Sequence, residues 1–247
     1  MRRLLVIALA LVCMGQDCEP APPPGEPDAY CQGTPPKGVL DSLLDSLGGA
    51  YSSIFGGEPS TDRRATALVH LGTGGYCSGT VMASRTVLTA AHCLGSDMSV
   101  TIGAQTFQVA DTLRHPDYRS APYNDLALLF FEQDLPGPYV SKVYDAAKAT
   151  ECGGLLAQGW GKSETSAVDL NESDYRVVKE NIKTLYTKQL NPGGICFGDS
   201  GGPLYAMVGG ETQIAGVTST TYSNDCLIGG DHVRLLYYVP WLEENVR

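Results

Sequence analysis

A chain of 247 residues with 29 glycines, 15 prolines and few long helical patterns reads as strand- and loop-rich, with room for one large β domain or two small lobes. Its formal net charge of −10 leaves nothing to neutralise phosphates, which excludes a nucleic-acid partner and favours solubility and repulsion from anionic surfaces. Eight cysteines suit an oxidising compartment.

The first residues read as an export signal over 1–15. Met1-Arg2-Arg3 is basic, Leu4 to Val12 is a short apolar run, and Cys13 and Gly15 are small, so cleavage is expected near Gly15–Gln16. The run is too short to span a bilayer. This implies a secreted protein, extracellular or periplasmic. A buried N-terminal strand is the bland alternative. A lipid anchor on Cys13 or Cys18 is another, with Val12 and Asp17 as poor lead-ins. If Cys13 leaves with the signal, an odd number of cysteines remains, and one would be free, lipidated or intermolecular.

Residues 16–53 read as a linker and pro-segment. Pro20, Pro22, Pro23, Pro24, Pro27, Pro35 and Pro36 predict an extended stretch without a core. Leu40, Leu43, Leu44 and Leu47 then fall on one face of a short helix that Gly48-Gly49 ends. Two turns are marginal alone, so this helix should pack on the body, either as a removable segment or as a permanent brace.

From Ile54 short apolar runs alternate with Gly, Ser, Thr and Asn turns. Ala67–Leu71, Thr86–Thr89, Ser99–Ile102, Leu126–Phe131 and Ile214–Thr218 predict strands of a sandwich or barrel. Residues 162–190 are the least readable. Tyr175 to Leu185 fits a strand or a short charged helix.

Ser200 lies among Gly198, Gly201 and Gly202, with Asp199 before it. A serine hydroxyl is a poor nucleophile without an adjacent base, and a developing oxyanion needs donors that bare backbone can supply. Read alone, the stretch is equally a glycine-rich turn. Of the four histidines, His70, His92, His115 and His232, His92 ends an apolar run and precedes Cys93. Asp125 heads Leu126-Ala127-Leu128-Leu129-Phe130-Phe131, where burial of a carboxylate is costly unless it is paired. Each residue alone has an ordinary structural explanation.

The conjunction decides. Ile54-Phe55-Gly56-Gly57, Cys77-Ser78-Gly79-Thr80, Thr89-Ala90-Ala91-His92-Cys93, His115-Pro116-Asp117-Tyr118, Asn124-Asp125-Leu126-Ala127-Leu128, Gly159-Trp160-Gly161 and Gly198-Asp199-Ser200-Gly201-Gly202-Pro203 occur in that order, with Trp241 in the closing segment. In these motifs residues 54–247 resemble the trypsin/chymotrypsin-like serine proteases. The resemblance implies an all-β fold of two six-stranded antiparallel β-barrels, with the active site between them and a short C-terminal helix. It implies a serine endopeptidase working through an acyl-enzyme, with Ser200 as nucleophile, His92 as base, Asp125 orienting His92, and the N–H groups of Gly198 and Ser200 as the oxyanion hole. It also implies the disulfides Cys77–Cys93 and Cys196–Cys226. Cys31–Cys152 is a further guess, with Cys18–Cys31 as a local rival.

In that family a cut frees an apolar N-terminus whose amine pairs with the aspartate before the nucleophile. Here these are Ile54 and Asp199, so a zymogen is expected. Ser53, not Lys or Arg, precedes Ile54. Slow self-processing is therefore expected, with a small residue before the cut. Alignment puts the specificity pocket at Gly194 and Ile195, Ser219, Thr220 and Thr221, and Gly230. Glycine at the pocket base disfavours Lys or Arg substrates, and Ile195 and Thr221 narrow the site, so cleavage after small or medium apolar residues is expected. A shift of one residue would bring Asp231 or His232 into the pocket instead.

No cofactor is implied. No metal-ligand spacing is apparent, and the loop from Cys93 to His115 is short and not acidic, so the family's calcium loop is absent from the pattern. The partners implied are protein or peptide substrates, an activating protease and protein inhibitors, and a monomer is expected. Two rival readings keep the fold: a catalytically silent homologue used as a binding module, and a permanent zymogen. An esterase elbow fits locally at Gly198-Asp199-Ser200-Gly201-Gly202, but the order Ser before Asp before His does not.

Overall fold

A computed structural model describes residues 54, 57–60, 65–146, 154–161, 169–190 and 193–247. The readings of residues 1–53, including the export signal, the proline-rich linker, the short amphipathic helix, Cys18 and Cys31, lie outside the described residues, as does Cys152.

The apolar runs become strands. The first group is β1 (Glu58–Pro59), β2 (Thr66–His70), β3 (Tyr76–Ala83), β4 (Thr86–Thr89), β5 (Ser99–Ile102), β6 (Gln105–Gln108), β7 (Asp111–Arg114) and β8 (Ala127–Phe130). The second is β9 (Leu155–Gly159), β10 (Asn171–Glu180), β11 (Thr184–Gln189), β12 (Pro203–Val208), β13 (Glu211–Thr221) and β14 (Gly230–Arg234). All strand pairs are antiparallel. Residues Val239–Asn245 form the one α-helix among the described residues, α1. Pro240 sits in its first turn, where a missing N–H costs no hydrogen bond.

One sheet runs β6-β5-β2-β3-β4-β8-β7. Its two edges are successive in the chain, parted only at Val109 and Ala110. Val109 N–H still bonds Met98 O, and Ala110 N–H bonds Phe130 O. The bent run 105–114 thus reaches from β5 to β8 and curls the sheet round. The second sheet runs β1-β10-β11-β14-β13-β12-β9 and closes on itself through β9 and β10. Closure removes open edges and leaves the interior to side chains.

The least readable segment is β10 and β11. The inward positions of β10 begin with buried Asn171 and Ser173, so apolar alternation appears only at Tyr175 and Val177. A shift in pairing between Val177 and Lys179 then breaks the period. Ser173 is accommodated because its hydroxyl donates to Gly193 O at 2.7 Å.

One core cluster fills the first barrel and joins it to Tyr205, Ile214, Val217 and Val233 of the second. Another gathers Ile54, Leu155, Tyr175, Leu185, Ile195, Leu204 and Ala215. Strands β2 and β3 touch β9, and β3 touches β12. The loops that carry the sequence motifs meet along this junction.

Candidate active site

His92 sits in the single 3-10 turn Ala91–Cys93 that follows β4. The Cys77–Cys93 disulfide, with S–S at 2.05 Å, ties that turn to β3. Asp125 is fully buried at the head of β8. Asn124 before it is left-handed, φ 52, a conformation asparagine tolerates well. The Asn124 side chain accepts hydrogen bonds from Lys183 Nζ at 3.0 Å and Tyr238 Oη at 2.9 Å, so both barrels hold this turn.

The Asp125 carboxylate has three donors. His92 Nδ1 donates to Oδ2 at 2.6 Å, His92 N–H donates to Oδ1 at 2.9 Å, and Ser219 Oγ donates to Oδ2 at 2.5 Å. A buried carboxylate satisfied in this way fixes the imidazole ring and leaves Nε2 as the nitrogen available to a second partner. Ser219 is the extra residue of a bulge. Thr218 pairs with His232 and Thr220 with Asp231, so Ser219 is left unpaired and aims at Asp125. The sequence places Ser219 only in the specificity pocket. Its bond to Asp125 depends on the bulge, which no local motif announces.

His92 and Ser200 line one cleft of about 360 Å³ with Ala121, Ile195, Phe197 and Thr218 to Thr221. In the loop before Ser200, Asp199 N–H bonds Cys196 O, and past it Gly201 N–H bonds Thr218 O and Gly202 N–H bonds Asp199 O. Among the described residues no such bond takes the N–H of Gly198 or Ser200. Gly198 has φ +100, and a Cβ there would meet the Tyr76 ring, so only glycine fits. The geometry therefore offers two free donors beside a serine hydroxyl and an oriented imidazole, which is an arrangement for acyl transfer.

Asp199 points away from the cleft and is buried. Gly161 N–H donates to Oδ1 at 2.7 Å and Cys196 N–H to Oδ2 at 2.8 Å. Burial pushes its carboxyl up to about 7, against the pull of those two bonds. Gly159 and Gly161 are glycines for this reason, since a Cβ on either would fall on the Asp199 carboxylate. Ile54 is fully buried in the cluster that holds Ile195 and Tyr175.

The Cys196–Cys226 disulfide forms, and Cys196 lines the cleft. Ile195, Thr220 and Thr221 line the cleft, whereas Gly194 and Gly230 are not among its lining residues. A Cβ at Gly230 would meet the Ile195 side chain, and one at Gly194 would meet Cys226 O. Asp231 turns outward, where Tyr222 Oη donates to it at 2.6 Å. His232 turns inward and is fully buried behind the pocket. Thr187 Oγ1 donates to Gly230 O at 3.0 Å and so accepts from His232 Nε2 at 3.0 Å, leaving Nδ1 to accept from Thr218 Oγ1 at 3.2 Å. Burial pushes this imidazole down to about 3, which keeps it neutral. His115 lies elsewhere, packed edge-on to Tyr238 with ring centroids 5.2 Å apart. Cys77, His92 and Cys93 bring ligand-type atoms together, but both sulfurs are consumed by their disulfide.

Sequence reasoning gave no role to Ser78, a fully buried hydroxyl bonded to Gly198 O and Trp160 N–H. The available signal was a serine inside the otherwise largely apolar strand β3. Phe197, largely exposed on the cleft rim, was also unmarked.

Compared with known proteins, residues 54–242 match the family model Trypsin. Chymotrypsin-like elastase family member 1 of Rattus norvegicus is 28% identical over 69% of this chain and 78% of its own. Granzyme E of Mus musculus is 26% identical over 86% of this chain and 99% of its own. CLIP domain-containing serine protease B4 of Anopheles gambiae is 26% identical over 70% of this chain, which spans 62% of that longer protein. The solved structure of GrC superposes with a TM-score of 0.65 at 25% identity, covering 77% of this chain and 98% of that one.

Proposed function

The chain belongs to the trypsin family of serine proteases, and from that premise we propose that it is a secreted serine endopeptidase that cleaves peptide bonds after small or medium apolar residues. The observation that carries the proposal is the buried Asp125 carboxylate bonded at 2.6 Å to the ring of His92, which shares one cleft with Ser200.

In this reading Ser200 Oγ attacks the scissile carbonyl while His92 Nε2 takes its proton. The carbonyl oxygen becomes an oxyanion held by the N–H groups of Gly198 and Ser200. Collapse of the tetrahedral intermediate breaks the C–N bond, His92 returns the proton to the leaving amine, and an acyl-enzyme remains on Ser200. Water, deprotonated by His92, then releases the acid. Asp125 stays ionised and stabilises the imidazolium.

The preference for small or medium apolar residues rests on Ile195. It caps the pocket in front of Gly230, where a Cβ would meet its side chain, and among the described residues no carboxylate lines the cleft to meet a Lys or Arg side chain.

The protein is made as a zymogen cut before Ile54, and the freed ammonium pairs with Asp199. Two features support this. Among the described residues no cation pairs with the buried Asp199, which is costly for a carboxylate. Ile54 is β-branched and left-handed at φ 51, a strain of about 1–3 kcal/mol. Cutting the preceding peptide bond abolishes that torsion.

The test is fluorophosphonate labelling of full-length protein and of protein with a sequenced Ile54 terminus, followed by cleavage of a peptide library. Stoichiometric labelling at Ser200 only in the cut form is expected. No labelling after Ile54 is freed overturns the reading and leaves a binding module. Appearance of the Ile54 terminus in wild type but not in Ser200→Ala identifies self-processing, and its appearance in both identifies an outside protease.

A further inference from the structure

We propose that Ser78 is a positioning residue for the oxyanion hole, one that turns the two donating N–H groups toward the cleft by holding the carbonyls between and beyond them. The inference rests on the enzymatic reading above and deepens it.

Ser78 lies on β3, in the first barrel, with no exposed surface. Its Oγ donates to Gly198 O at 2.9 Å, and its backbone N–H donates to Ser200 O at 2.8 Å. Each peptide unit is planar, so fixing its carbonyl fixes the direction of its N–H. The Gly198 carbonyl belongs to the peptide joining residues 198 and 199. The Ser200 carbonyl belongs to the peptide joining 200 and 201. The two donors belong to the alternate peptides, 197 to 198 and 199 to 200. Ser78 therefore grips one peptide between the donors and one beyond Ser200, and the free N–H groups are those it leaves untouched.

The grip is needed because Gly198 has φ +100 and no side chain of its own to restrain it. It is rigid because Ser78 is itself held. Thr89 Oγ1 donates to Ser78 O at 2.8 Å, and Trp160 N–H donates to Ser78 Oγ at 2.9 Å. The hydroxyl thus has one donated and one accepted bond, and its hydrogen is directed at Gly198 O. Trp160 lies between Gly159 and Gly161, the glycines that make room for Asp199. One hydroxyl in the first barrel therefore links two loops of the second: the one that seats Asp199 and the one that carries the oxyanion donors.

The step that benefits is the one in which negative charge develops, not the binding of substrate. Ser78→Ala and the near-isosteric Ser78→Cys test this on protein with the Ile54 terminus. Rates are referred to active sites counted by fluorophosphonate titration. We expect kcat to fall by about 10- to 100-fold, less than for outright loss of a donor, with KM within threefold. Affinity for a peptide aldehyde, which forms the tetrahedral oxyanion, should fall by the same factor as kcat. The pH midpoint of kcat should stay in place, since His92 and Asp125 are untouched. If either folded variant keeps kcat per titrated site and aldehyde affinity within twofold of wild type, the inference is overturned. It is also overturned if KM and aldehyde affinity weaken together while kcat holds, which is loss of pocket shape. A wild-type protein that takes no fluorophosphonate instead refutes the enzymatic reading and removes this inference with it.

Discussion

Ser219 donates its hydroxyl at 2.5 Å to the same Asp125 oxygen that receives His92 Nδ1–H at 2.6 Å. The two donors come from different barrels and meet at a carboxylate with no exposed surface. Asp125→Asn should therefore do more than remove a charge. The amide reverses one hydrogen bond and favours the wrong imidazole tautomer, so kcat should fall roughly 10⁴-fold with little change in KM. Ser219→Ala leaves the His92 bond and should cost only about tenfold, the scale of one hydrogen bond to a charged group. Steady-state kinetics of both variants against a peptide substrate check the order.

The Asp199 carboxyl gives the uncut chain a distinctive pH dependence. Burial raises it to about 7 from an ordinary 3.8. Its folded value lies above its unfolded one, so its stabilising contribution is complete below 3.8 and is lost as pH rises through about 7. The Tm of uncut Ser200→Ala protein should carry a downward component over that interval, which Asp199→Asn removes. In the cut protein the Ile54 ammonium should reverse the sign, holding Asp199 ionised at neutral pH. Activity should then fade above roughly pH 8 as that amine loses its proton. Calorimetry of the uncut forms and a pH–rate profile of the cut form read the two effects separately.

His232 tilts stability the other way. Its imidazole is pushed down by burial to about 3 from 6.5, so the unfolded chain takes up a proton that the folded chain refuses. Stability from this group is intact above 6.5 and is lost as pH falls toward 3. His232→Gln, which cannot charge, should lose less Tm than wild type between about pH 7 and pH 4. Comparing the two proteins isolates His232 from Asp199, whose contribution over the same interval is opposite in sign.

Specificity should answer to Ile195 and not to Gly194. Ile195→Ala removes the cap and should raise kcat/KM for bulky over small apolar residues by roughly 10-fold or more. Gly194→Asp, the change that would seem to create a Lys or Arg pocket, places its Cβ against the Cys226 carbonyl. That variant should be destabilised and should gain no measurable cleavage after Lys or Arg. Peptide-library cleavage with thermal melts of both proteins checks the pair.

Much of the candidate site was legible because its motifs are short and each meets a local demand. Gly159 and Gly161 leave room for a carboxylate, Gly198 takes a positive φ, and Cys93 pins the turn of His92. The strands with apolar faces, such as Leu126–Phe131, were legible too. β10 was not, because its inward positions start with the polar residues Asn171 and Ser173, which hydrogen-bond to Asp169 O and Gly193 O and interrupt the apolar alternation. The order of residues in the pocket was blurred for a related reason. A strand alternates its two faces, and one bulge at Ser219 changes which side chains face the cleft.

The sequence by itself determined the chemical parts: His92, Asp125 and Ser200 in family order, the glycines around them, and Ile54 and Asp199 within motifs of the same family. Tertiary structure alone decided how those parts are held. Ser219 reaches Asp125 across 94 positions and Ser78 reaches Gly198 across 120. The physical reason is that a hydrogen bond depends on distances of a few tenths of an ångström and on direction. Between positions so far apart, those are fixed only when two barrels pack and a bulge sets the register.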